Sequence, residues 1–180
     1  MNRKQKGFSL IELLIVVAII LIIAAIAIPN LLRARMAANE SSAAGSLRSI
    51  NTANATFLST YGHSFAPTLA ALGGAAPAVG VVAPCTAANL IDQTLGQDPA
   101  TKSGYTFKVL TGNGLGAKPT GCSAAGSTDG YGVVATPVTL GTTGQRSFCT
   151  DASGVLRYDA TGATAALTNA LCPVALNPLQ

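Results

Sequence analysis

KGFSLIELLIVVAIILIIAAIAIP, Lys6 to Pro29, is the stretch on which the reading of this chain turns. In the twenty-one residues from Phe8 to Ile28, only Ser9 and Glu12 are polar. As a helix rising 1.5 Å per residue, such a run is about 31 Å long, the thickness of a bilayer's hydrocarbon core. A charge at the bilayer centre costs roughly 2.5–3.5 kcal/mol on insertion scales. Glu12, fifth in the run, therefore calls for a partner.

Toward the amino terminus lies a basic tip, Arg3, Lys4 and Lys6, ending in Gly7. Its charge favours a cytoplasmic location, although Arg33 and Arg35 beyond the other end narrow the asymmetry. Three readings of residues 8–28 compete. One is a secretory signal cut after Ala25-Ile26-Ala27, which has the A-x-A form. The apolar core from Leu13 to Ile28 is sixteen residues, slightly long for that purpose, and Glu12 stands at its start. The second is a plain membrane anchor with an interfacial acid. The third is a segment cut at Gly7 and later packed among copies of itself.

Toward the carboxyl terminus, Pro29 would ordinarily end or kink a helix. Helix formers resume at Leu31 and run to Ala38, so the expectation is a kink within one continuing helix. Leu47, Ile50, Phe57, Leu58 and Tyr61 then fall on one helical face, with Arg48, Ser49, Asn51, Thr52 and Ser59 opposite. Gly62 is the expected stop. The helix would span 8–62, apolar all round in its first half and amphipathic in its second.

The rest of the chain, 63–180, reads as a small head. Residues 62–89 are rich in Ala, Gly and Pro, with a helical turn expected near Leu69–Leu72, and Leu90–Leu95 is an apolar patch of open type. Gly104–Leu110 and Tyr131–Val138 read as strands, with Pro137 hinting that the second lies at an edge. Arg146–Thr150 and Val155–Tyr158, around Asp151-Ala152-Ser153-Gly154, read as a hairpin. The 111–130 segment, with six glycines, reads as a loop, and the tail around Cys172 as extended. Consecutive strands with short links favour an antiparallel sheet and an α+β fold.

Charge and cysteine usage bound the function. The net charge of +4 rests on eleven basic and seven acidic residues. Removing Arg3, Lys4 and Lys6 leaves eight against seven, and beyond Gly62 the balance is five against five. The basicity thus belongs to the tip and the helix, and no nucleic-acid partner is expected. All four cysteines, Cys85, Cys122, Cys149 and Cys172, lie in the second half, at spacings that fit neither zinc nor haem motifs. An even number beyond a membrane-crossing segment suggests two disulfides in an oxidising space. Of three possible pairings, Cys85–Cys122 with Cys149–Cys172 closes the shorter loops.

Gly7-Phe8-Ser9-Leu10-Ile11-Glu12-Leu13-Leu14, followed by the apolar span and Pro29, resembles the start of type IV pilins and related pseudopilins. KSGYTF at 102–107 and RSFCTDASGVLR at 146–157 are more weakly similar to bacterial pilin-like proteins. The resemblance implies cleavage after Gly7 by a prepilin peptidase, methylation of the new amino terminus at Phe8 by the same enzyme, and an assembly platform in the inner membrane. It also implies a structural subunit that passes from membrane lipid into a homopolymer. Within it, Glu12 would pair with a neighbour's Phe8 ammonium and so set the axial register. A pseudopilin of a type II secretion system, acting as a periplasmic piston, is the alternative, and a scarce tip subunit is a third.

Nothing else in the sequence suggests catalysis, a cofactor or a metal. His63 stands beside Gly62 without clustered ligands. No GxSxG, HExxH or phosphate-binding loop occurs, so an enzyme is not expected. Asp129, Asp151 and Asp159 are candidates for calcium, but turn capping is the readier role. The Asn39-Glu40-Ser41 and Asn54-Ala55-Thr56 sequons fall on the helix and carry no expectation.

Overall fold

The computed structural model describes residues 9–61, 65–74, 83–111, 130–163 and 171–179. The chain forms two compact units, Met1–Arg35 and Met36–Gln180. Helix α1, Leu10–Tyr61, supplies all the regular structure described in the first unit and continues into the second. Pro29 lies inside α1, which does not end there. A proline removes one backbone hydrogen bond and crowds the preceding turn. The strong helix formers on both sides of Pro29 outweigh that local cost.

In the second unit, α1 meets a six-stranded antiparallel sheet whose strands follow chain order. They are β1 (Ala100–Lys102), β2 (Tyr105–Thr111), β3 (Tyr131–Pro137), β4 (Ser147–Asp151), β5 (Arg157–Asp159) and β6 (Asn177–Pro178). This is the expected α+β arrangement. Ser103 and Gly104 join β1 to β2 with φ of 50° and 73°. Two successive left-handed residues make the tight turn whose twist suits a hairpin. The short helix α2, Leu69–Leu72, falls where a helical turn was expected, and the Thr68 hydroxyl accepts the Ala71 N–H at its start.

The core follows the helical periodicity. Ala43, Leu47, Ile50 and Phe57 are buried, and they join Leu69, Leu72, Leu95, Tyr105, Phe107, Val133 and Phe148 in one cluster. Leu58 and Tyr61 are only partly covered, whereas Arg48, Ser49, Thr52 and Ser59 are exposed as expected. Alternation in β2 sends Tyr105, Phe107 and Val109 inward. The opposite face of the sheet holds a small second cluster of Val134, Cys149 and Cys172, with Leu176 against it. That cluster explains why β4 is buried at every position.

Several expectations need correction. β3 lies between β2 and β4, so Pro137 marks no edge. It is tolerated because it is the last residue of the strand, in register with Tyr105. The hairpin is shorter than expected, since β5 begins at Arg157 and leaves Val155 and Leu156 outside the ladder. The 90–95 patch forms neither helix nor strand. It is instead tied by Leu90 N–H and Ile91 N–H to the Leu72 carbonyl, with Ile91 and Leu95 buried.

Candidate assembly site

The first unit is built to be covered by something else. No described residue from Ser9 to Arg35 is buried. Leu10 is 81% exposed and Ile26 66%, and α1 is long and apolar enough to cross a membrane. A contiguous apolar surface of this extent marks a partner or a lipid environment rather than contact with water. An α-helix is also the form in which such a run satisfies its own backbone without water.

Glu12 sits in the first turn of α1. Its Oε2 accepts the backbone N–H of Ser9 at 2.9 Å, and the Ser9 carbonyl accepts the N–H groups of Glu12 and Leu13 at 3.1 and 3.3 Å. The residues SLIE, 9–12, therefore stand as the start of a capping box, in which an acid three residues beyond the cap returns to the cap's own amide. Sequence reasoning asked what Glu12 pairs with and overlooked this local answer, although the S-x-x-E spacing signals it. Gly7 and Phe8, the expected processing residues, lie outside the described residues. Pro29 lies on the exposed surface of the same helical segment.

The second unit carries a polar clamp that the sequence did not reveal. Glu40, 7% exposed, accepts the N–H groups of Gln145 and Arg146 on one oxygen, at 2.9 and 3.1 Å. Its other oxygen takes Arg146 Nε at 2.8 Å and Nη2 at 2.6 Å. The Arg146 guanidinium stands over the rings of Phe148 and Tyr158, and the Arg146 carbonyl accepts the Tyr105 hydroxyl at 2.7 Å. Burial, and then the charge of Glu40, raise the Tyr105 pKa above the usual tyrosine value. Beside this clamp, Asn39 donates to the Thr143 carbonyl at 2.9 Å.

A second tie joins α1 to the β4–β5 turn. Asn51 donates to the Thr150 hydroxyl at 2.7 Å and to the Gly154 carbonyl, while its Oδ1 accepts the Tyr131 hydroxyl at 2.9 Å. Burial, and then the charge of Asp151, push the Tyr131 pKa up to about 12. Asn54, fully buried, accepts the Ala66 N–H.

The remaining candidates resolve as structural groups where the structure describes them. Asp151 accepts the Ser153 N–H and hydroxyl on one oxygen and the Cys172 N–H on the other. Asp159 caps its turn through the Thr161 N–H and hydroxyl, and those bonds lower its pKa. Asp129 and His63 lie outside the described residues. Among the described residues, no group of three His, Cys, Asp or Glu is placed to hold a metal ion. A disulfide joins Cys149 to Cys172, with Cα atoms 6.0 Å apart. Cys85 is disulfide-bonded as well, and Cys122, its expected partner, lies outside the described residues.

Comparison with known proteins bears on the same segment. Residues 2–28 match the family model of the prokaryotic N-terminal methylation motif. The type IV major pilin protein PilA of Myxococcus xanthus is 48% identical over 58 residues, 32% of this chain and 26% of the relative. The type IV wide pilus major component PilA4 of Thermus thermophilus is 68% identical over 38 residues, 21% of this chain and 29% of the relative. The chain thus spans little more than a quarter of the length of these relatives. No solved structure matches it. The exposed apolar start of α1, the acid in its first turn and the antiparallel sheet agree with these matches: the chain carries the prokaryotic N-terminal methylation motif at residues 2–28 and is similar over 38 to 58 residues to type IV pilus components.

Proposed function

We propose that this chain is a structural subunit of a type IV pilus. In this reading, prepilin peptidase cleaves after Gly7 and methylates the amine of Phe8. The mature chain waits in the inner membrane as a single-pass protein, with its 8–28 segment in lipid. The assembly platform then moves it into an extracellular homopolymer, where sister helices replace the lipid. The observation that carries the proposal is the exposed apolar surface of α1 up to Arg35, joined to the methylation motif. The pilus is preferred to a secretion pseudopilus because both curated relatives are named as pilus components.

Glu12 gives the polymer its register. An isolated charge among packed apolar helices is expensive, and an opposite charge with good geometry offsets most of that expense. The Phe8 ammonium of a neighbouring subunit is such a charge, and only one axial offset brings the two together. Mass spectrometry of the mature amino terminus tests the processing, with methylated Phe8 as the expected first residue. A first residue at Ile28 would mean ordinary secretion and would remove the assembly helix. For the register, Glu12→Ala is expected to abolish or misalign fibres seen by electron microscopy. Fibres of normal yield and geometry from that variant would end the register role.

A further inference from the structure

We infer that Glu12 is held by its own chain before any neighbour reaches it, so that the acid enters assembly already oriented. This deepens the proposed interchain pairing and rests on it. Helix α1 begins at Leu10, which makes Ser9 the capping residue and places Glu12 three residues on. The Ser9 N–H donates to Glu12 Oε2 at 2.9 Å. Among the described residues, this is the one polar contact that the Glu12 carboxylate makes. Its Oε1 keeps full acceptor capacity, and an ionised carboxylate offers about four acceptor positions.

Lipid and apolar neighbours hold no acceptor for the amides that a helix leaves open at its start. Glu12 therefore satisfies the Ser9 amide in both environments that the segment would meet. The positive end of the helix macrodipole favours the same placement of negative charge. Because one oxygen is tied to the backbone, the other is presented in a fixed direction at the helix tip. An incoming ammonium meets a preorganised acceptor and does not have to order a free side chain. The single carboxylate then serves two donors, its own amide and a neighbour's amine, with no need to release the first.

Three substitutions separate the two roles. Glu12→Gln keeps an acceptor for the cap, since glutamine serves in capping boxes, but removes the charge. Glu12→Asp keeps the charge on a side chain one methylene shorter, which does not reach back to Ser9 in the same geometry. Glu12→Ala removes both. The experiment measures amide exchange at Ser9 by NMR, on the full-length nitrogen-15-labelled chain in detergent micelles, alongside fibre yield in cells. Exchange at Ser9 is expected to be slow in the wild type and in Glu12→Gln, and about fivefold faster in Glu12→Ala and Glu12→Asp. Fibre yield is expected to fall in Glu12→Asp although its charge is retained. Equal Ser9 exchange in the wild type and Glu12→Ala overturns the inference, and so does wild-type fibre yield from Glu12→Asp. If the exchange pattern holds but Glu12→Gln assembles normally, the cap stands and the interchain ion pair is what fails.

Discussion

Replacing Glu40 by alanine tests how the second unit is fastened to its helix. The carboxylate receives four donors, two from the backbone of Gln145 and Arg146 and two from the Arg146 guanidinium. Removing one partner of a buried ion pair costs about 3–5 kcal/mol, because the other charge stays behind without compensation. The Arg146 side chain is 39% exposed. Water can therefore hydrate part of the abandoned guanidinium, which selects the lower end, about 3 kcal/mol. For a unit of this size, each kcal/mol lowers the melting temperature by about 2–4 °C, so a fall of about 6–12 °C is expected. Thermal unfolding followed by near-ultraviolet circular dichroism suits the measurement, since Tyr61, Tyr105, Tyr131 and Tyr158 all lie in the second unit. Glu40→Gln should recover part of the loss, because its amide oxygen can still accept the two backbone N–H groups. Exposed Ser41, one residue along the same helix, sets the baseline: Ser41→Ala should stay within about 0.5 kcal/mol of the wild type. A Glu40→Ala variant within about 1 kcal/mol of the wild type would show that the clamp adds little and that apolar packing alone seats the helix.

Three further perturbations probe the same unit. Removing the Cys149–Cys172 bridge with a pair of alanines frees a 23-residue separation and should cost about 3 kcal/mol by loop entropy, read as a lower urea midpoint. Tyr131 has its pKa raised from 10.0 to about 12 in the folded chain, so its contribution to stability is complete below about pH 10 and is lost between pH 10 and 12. Absorbance at the tyrosinate band should therefore rise for Tyr131 above the usual range, and Tyr131→Phe should flatten the alkaline fall in stability. At Gly144 an added Cβ would strike the Tyr105 hydroxyl, which is held by the Arg146 carbonyl. Gly144→Ala should then cost about 1–3 kcal/mol in the same unfolding assay.

Much of this architecture could be read before any coordinates. The face set by Leu47, Ile50 and Phe57 and the strand at 105–111 express periods of 3.6 and 2 in the residues themselves, while the apolar run and the strand at 131–137 stand out as continuous apolar stretches. β1 and β6 were illegible for a physical reason. Ala100-Thr101-Lys102 and Asn177-Pro178 are too short to show alternation, and they are strands only because β2 and β5 offer them an edge. Pro137 misled because proline reports a missing donor without saying whether a donor is needed there. The Glu40 clamp was hidden because 105 or more residues separate its partners, and nothing local in Asn39-Glu40-Ser41 announces Gln145 or Arg146.

Helix α1 contains two acids, Glu12 and Glu40, and the structure gives each a backbone partner that the sequence reading did not name. Glu12 stood out as a charge in an apolar run, and the structure shows it serving a backbone amide. Glu40 appeared in the sequence only as the middle of the Asn39-Glu40-Ser41 sequon, and the structure buries it on two backbone amides and an arginine. In both places the carboxylate supplies acceptors to backbone donors that helix and ladder leave without partners. The difference lies in what remains afterwards. Glu40 has both oxygens engaged within its own unit and is spent on folding. Glu12 has one oxygen left over at an exposed helix tip, and a carboxylate with unused capacity in an apolar setting is under pressure to find a cation. In the proposed assembly, that surplus suits Glu12, and not Glu40, to join one chain to the next.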